Sequence, residues 1–312
     1  MYGLKQKNGV LLLLSSLLIA SAPSVSAASA PSFEQRLTTF LTKLSQPILA
    51  SSTHKQASIP SANIQYQGCQ NYPYHNTGSA QTSHKVLTND IKQGLEKGLS
   101  CLAGKSPAGQ LHPYHEYQAL KLMKVLESDK TKTVRCVEDE IFAYAIANTP
   151  VNPHRKPHPQ DKLTAGLPYP GILVDTFRLS GAISNKHDEA TYRDFYNLDD
   201  EQINVINTGK PLKLAGMHRY KKRDGLMFHE MIHWLGHEHS SIYPDTTHLY
   251  ETCCFGGSDF ISDETKNKNF QQQACNILKD DELWGKSEYQ QMRLWKYKEY
   301  DQLKRAMRGY SD

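Results

Sequence analysis

The sequence lacks most of the features that assign a chain at a glance. It has no CxxC pair among its six cysteines, so a cluster of metal-bound thiolates is not expected. It has no basic cluster beyond Lys221-Lys222-Arg223. Its 36 lysines and arginines are interleaved with 32 aspartates and glutamates, which offers no support for a nucleic-acid partner. Beyond the first residues no run approaches the roughly 20 apolar residues of a membrane helix, so stable insertion in a bilayer is not expected. No internal repeat occurs. The acidic residues around Gly256 to Glu264 lack the alternate spacing of a calcium loop. A chain of 312 residues is left, long enough for one large domain or two small ones.

What is present at the start is an export signal. Lys5 and Lys7 precede the apolar run Val10 to Ala20, and Val25 and Ala27 supply the small-residue pattern of a cleavage site, so residues 1–27 are expected to be removed. Loss of the two lysines takes the formal charge from +4 to +2. An exported, periplasmic or extracellular chain with an even number of cysteines is expected to form disulfides. Three bridges allow 15 connectivities, which sequence leaves open. The adjacent Cys253 and Cys254 should bond to different partners.

Apolar residues at helical spacing predict a helix from about Ser32 to Pro47, and others over Val86–Cys101 and Tyr114–Glu127. Residues 51 to 85, rich in Ser, Gln, Asn and Thr, read as an irregular stretch held by Cys69. Six prolines between Thr149 and Gly171 predict a long exposed connection without regular helix or interior strand. Gly171 to Leu179 is apolar and β-branched and reads as a strand, with Thr133 to Val137 a weaker one. Ser287 to Met307 closes the chain as an amphipathic helix. His112 and His115 are assigned surface or capping roles, Pro113 marking a helix start. His154 and His158 in the proline-rich connection are assigned no role.

Chemistry is concentrated in one segment, HEMIHWLGHEH, from His229 to His239. Asp224 is a suitable cap for a buried helix through Leu226, Met231 and Leu235, ended by Gly236. On that helix His229 and His233, four apart, project from one face and can share an ion, with the Glu230 carboxylate beside it as a base. A catalytic zinc takes three protein ligands and keeps one position open, so a third ligand is required. His239, reached through the turn at Gly236, is the first candidate, and Asp245 and Glu251 are the others.

The spacing HExxHxxGxxH resembles the metzincin branch of the zincin zinc peptidases, the resemblance resting on His229, Glu230, His233, Gly236 and His239. With this composition HExxH alone arises by chance in roughly 3% of such chains, and the full spacing in roughly one in ten thousand. The methionine turn of that branch has no counterpart, since no methionine occurs between Met231 and Met292. Ser241-Ile242-Tyr243 stands in its place, with Tyr243 a candidate fifth ligand or oxyanion donor. The resemblance implies an α+β fold, a zincin-like catalytic domain with a twisted mixed sheet over the active-site helix. It would span residues 105–312, after a mainly helical N-terminal region at 28–104 that is a pro-segment or a subdomain. It also implies one catalytic Zn2+ held by His229, His233 and His239, with Glu230 as general base and a protein or peptide as substrate. Two alternatives stand beside it: an amidase acting on a non-protein amide such as a cell-wall cross-link, and an inactive exported zinc-binding or adhesion protein.

Overall fold

The hydrophobic spacings resolve into alternating helices and short strands. A computed structural model describes residues 31–44, 62–69, 80–105, 107–138, 141, 143–150, 159–183, 189–190, 193, 198–208, 212–213, 220–239, 244–285 and 300–308. In chain order the elements are α1 (Phe33–Leu44), β1 (Ile64–Gln67), α2 (Ala80–Leu102), α3 (Pro113–Glu127), β2 (Lys132–Val137), β3 (Ala145–Ala147), α4 (Pro159–Leu163), β4 (Gly171–Asp175) and α5 (Thr176–Leu179). They continue as β5 (Ala182–Ile183), α6 (Asp200–Asn207), β6 (Leu212–Lys213), α7 (Arg223–His233), α8 (Thr246–Cys254), α9 (Glu264–Leu278), α10 (Asp281–Trp284) and α11 (Tyr300–Arg308). Phe33–Asp312 forms one compact unit. The expected export signal, His154, His158 and Ser241 to Tyr243 lie outside the described residues, as does most of the expected closing helix, of which α11 is the described part.

The fold is mixed α+β, built on a four-stranded sheet of order β1-β2-β4-β3. β1, β2 and β4 run parallel, and β3 lies antiparallel at the edge. One row of the register, Tyr66–Val134–Ile172–Ala147, crosses the whole sheet, and all four side chains are buried in the main core. The opposite face, with Ile146 and Leu173, covers a smaller cluster completed by Ile141 and Leu167. In the main core α7 packs closely on α2. Gly94 and Gly98, one helical turn apart on α2, make that approach feasible: a Cβ on Gly94 would sit 2.4 Å from the Asp224 carbonyl oxygen, and one on Gly98 would sit 2.3 Å from the Phe228 ring.

Several elements depart from the sequence expectation, each for a local reason. The polar stretch 51–85 contains β1, because Ile64 and Tyr66 alternate with exposed Gln65 and Gln67, the period of a half-buried strand. α2 starts at Ala80 rather than Val86. The expected strand to Leu179 stops at Asp175, whose side chain accepts a 3.0 Å bond from the Arg178 amide and so opens α5. The proline-rich connection is not wholly irregular: α4 begins at Pro159, where a proline fits because the first helical amide needs no partner. Asp224 does not cap the histidine-bearing helix α7. That helix begins two residues earlier than such a cap implies, at Arg223 after Lys222, and Asp224 instead accepts from Lys97 at 2.5 Å. His112 does cap α3, accepting from the Tyr114 amide at 3.1 Å, but His115 is buried and shares a 2.7 Å hydrogen bond with the Tyr250 hydroxyl.

The stretch read as an N-terminal region contributes β1 and α2 to this same sheet and core. Three disulfides cross-link the unit: Cys69–Cys136 between the segment just after β1 and strand β2, Cys101–Cys254 between α2 and α8, and Cys253–Cys275 between α8 and α9. The neighbours Cys253 and Cys254 thus reach different helices, as expected. Such bridges are what an oxidising compartment permits. Among the described residues no helix is long and apolar enough to cross a membrane.

Candidate metal centre

α7 is enclosed on both flanks, by α2 on one and by β3 on the other, so every residue from Gly225 to His233 is buried. His229, Glu230 and His233 are therefore polar groups in the buried interior, where each needs a partner. After His233 the helix unwinds, and Gly236 adopts φ 87°, the left-handed conformation that sharply redirects the chain. The turn returns His239 to the pair. The ring centroids of His229 and His233 are 5.1 Å apart, those of His229 and His239 5.1 Å, and those of His233 and His239 4.7 Å. One ligand atom from each ring lies within 4.8 Å of the others, so the three can hold a metal ion.

The outward side of each ring identifies that atom. Nδ1 of His229 lies 2.9 Å from Glu251 Oε2, Nδ1 of His239 lies 3.1 Å from Asp245 Oδ1, and Nδ1 of His233 bonds the His237 carbonyl oxygen. Donation of Nδ1–H outward on all three rings would leave each Nε2 lone pair to a shared ion. This is the orientation in which ligating histidines are held by outer acceptors. The donor set, three imidazoles backed by two carboxylates and a carbonyl, fits a borderline divalent cation such as zinc. Burial and the neighbouring His229 and His239 hold the His233 pKa well below its ordinary value, so its ring stays neutral with the lone pair available.

Asp245 and Glu251, both weighed as ligands from the sequence, sit behind the rings as acceptors. They lie at the N-cap and on the second turn of α8, with His248 between them at the same helical spacing. The His248 ring is 4.4 Å from that of His229 and 4.5 Å from that of His239. Its Nδ1 stands 3.1 Å from Asp245 Oδ2, close enough for an ion pair though off the line of a hydrogen bond. Burial alone would raise the Asp245 pKa, but His248 and His239 beside it hold it well below the carboxylate range. Burial pushes Glu251 up, and there the Tyr220 hydroxyl donates to its second oxygen. His248, Tyr220 and the His237 carbonyl escaped the sequence reading. The spacing of Asp245, His248 and Glu251 three apart was the one available signal for any of them.

Glu230 points elsewhere. Its Oε2 accepts a 2.7 Å hydrogen bond from the Ala147 amide at the end of β3. Burial raises its pKa to about 8 against the pull of that amide, with Glu251 adding to the rise. A carboxyl poised near neutral pH can take a proton and return it. The structure thus brings three histidines that could hold an ion and a further buried carboxyl to one helix and the turn that follows it, beside the edge strand of the sheet.

No protein-family model, no curated protein and no solved structure matches this chain.

Proposed function

We propose that the protein is an exported zinc-dependent metallopeptidase of zincin-like build. The observation that carries this reading is the pairing of three histidines, every Nδ1 engaged by an outer acceptor, with a carboxyl that none of those contacts involves. A structural zinc would have four protein ligands and no need of a neighbouring base, whereas three ligands with an adjacent carboxyl suit hydrolysis.

His229, His233 and His239 would hold the ion. When bound there, zinc would make a water molecule acidic enough to ionise near neutral pH and would polarise the carbonyl under attack. Glu230 accepts the proton of the attacking water and delivers it to the leaving amine, the nitrogen that must gain a proton for the C–N bond to break. The Ala147 amide aims the Glu230 carboxyl during both transfers. β3 is antiparallel at the sheet edge in the described structure and adjoins Glu230, which favours a peptide as substrate: an extended chain can lie along that edge by main-chain hydrogen bonds, its scissile amide near the base.

The test is cleavage of a diverse peptide mixture by the purified mature protein, read by mass spectrometry beside Glu230→Gln and a chelated control. Cuts lost in both controls, with Glu230→Gln still loading zinc to the wild-type level, are the expected result. Loss of zinc from Glu230→Gln would contradict its role as a non-ligand. The absence of cuts from a folded, zinc-loaded protein would refute peptidase activity.

A further inference from the structure

The outer acceptors of His229 and His239 are side chains, but that of His233 is the main-chain oxygen of His237, in the turn that also carries His239. A carbonyl in a turn is only as well placed as the turn. The His237 side chain is therefore of interest: its Nε2 lies 3.1 Å from Oε1 of Gln118, on α3 and 119 residues earlier in the chain. Gln118 is 1% exposed and shares the buried stripe of α3 with His115, Ala119 and Leu122. A primary amide on such a stripe costs stability unless it is hydrogen-bonded, and packing alone would be served by leucine.

We propose, resting on the metal reading above, that Gln118 is a positioning residue for His233: its oxygen accepts from His237 Nε2–H and thereby fixes the His237 carbonyl that orients the His233 ring. The chain of contacts runs Gln118 side chain, His237 ring, His237 carbonyl, His233 Nδ1–H. It ties the ligand helix to α3, which neither the motif nor its spacing includes. The same contact steadies the turn that delivers His239, two residues on, so a single buried amide supports two of the three ligands.

The experiment compares zinc affinity of wild type, Gln118→Leu and Gln118→Glu by competition with a chromogenic chelator, together with the ring tautomers of His233 and His237 by long-range proton–nitrogen NMR on the metal-free protein. Removing an outer partner of a ligating histidine costs roughly 10–100-fold in affinity, and the proposal expects about tenfold for Gln118→Leu. Gln118→Glu, which keeps an acceptor, should stay within about threefold of wild type. A uniform loss in both variants, or wild-type affinity in Gln118→Leu, would overturn the proposal. Should Gln118→Leu not fold, the wild-type tautomers decide: protons on His237 Nε2 and His233 Nδ1 support it, and a proton on His237 Nδ1 overturns it. A wild-type protein that takes up no zinc would instead refute the metal reading, and the tautomers would still report on Gln118.

Discussion

Gly94→Ala should loosen the protein by displacing the histidine-bearing helix α7, and the size of the effect follows from the geometry. An added Cβ would stand 2.4 Å from the Asp224 carbonyl oxygen, whereas ordinary contact begins at 3.4 Å, so α2 and α7 must part by about 1 Å locally. The obstructing atom is backbone, which cannot rotate away as a side chain could. α7 has no room to move, because Glu230 on its other flank is 2.7 Å from the Ala147 amide. α2 is pinned near its end by Cys101–Cys254. Alanine improves intrinsic helix propensity by about 1 kcal/mol, while forcing an extra carbon into a packed contact costs typically 1–3 kcal/mol. Because the obstruction is backbone, the cost belongs in the upper part of that range, about 2–3 kcal/mol, so the expected net loss is about 1–2 kcal/mol, a fall in Tm of roughly 2–8 °C for a chain of this size. Thermal unfolding of Gly94→Ala beside the exposed Gln93→Ala on the same helix would measure it, the control staying within about 0.5 kcal/mol of wild type. Peptide cleavage should fall as well, since any shift of α7 changes the spacing of Glu230 and β3. A Gly94→Ala protein as stable as wild type would refute the idea that glycine sets the approach of the two helices.

Glu251→Gln, which keeps an oxygen for His229 but removes the charge, should weaken zinc binding by about tenfold, within the range for outer partners, as read by chelator competition. His239→Ala should weaken it more than Glu251→Gln or Asp245→Asn does, because it removes a ligand nitrogen rather than a partner behind one; the reverse order would make a carboxylate the third ligand. In the metal-free protein Glu230 has a folded-state pKa of about 8, above its ordinary 4.5, so the fold prefers the protonated carboxyl. Its contribution to stability is complete below about pH 4.5 and is lost as pH rises through about 8. Urea midpoints should accordingly fall between about pH 5 and 8 more steeply in wild type than in Glu230→Gln, and parallel curves would contradict the burial of that charge.

Local physics made much of this protein legible in advance. α1, α3 and α7 follow from apolar spacing, and the left-handed turn at Gly236 from the one residue type that adopts it without cost. The four-residue interval of His229 and His233 put them on one helical face whatever surrounded that helix. Other features were decided by partners distant in sequence. β1 is a strand because β2 and β4 offer it a parallel edge and a buried face, which four residues in a polar stretch do not announce. His115 is buried because Tyr250, 135 residues away, meets its ring nitrogen. The sequence favoured His239 as the remaining ligand but left Asp245 and Glu251 open, because spacing along a chain does not say which side of a ring a carboxylate will meet. The tertiary structure sets His239 beside the pair, with Asp245 and Glu251 behind the rings. Helical periodicity acts over a few residues and is written locally, whereas the direction from which α8 and α3 approach the histidines depends on packing across the whole core.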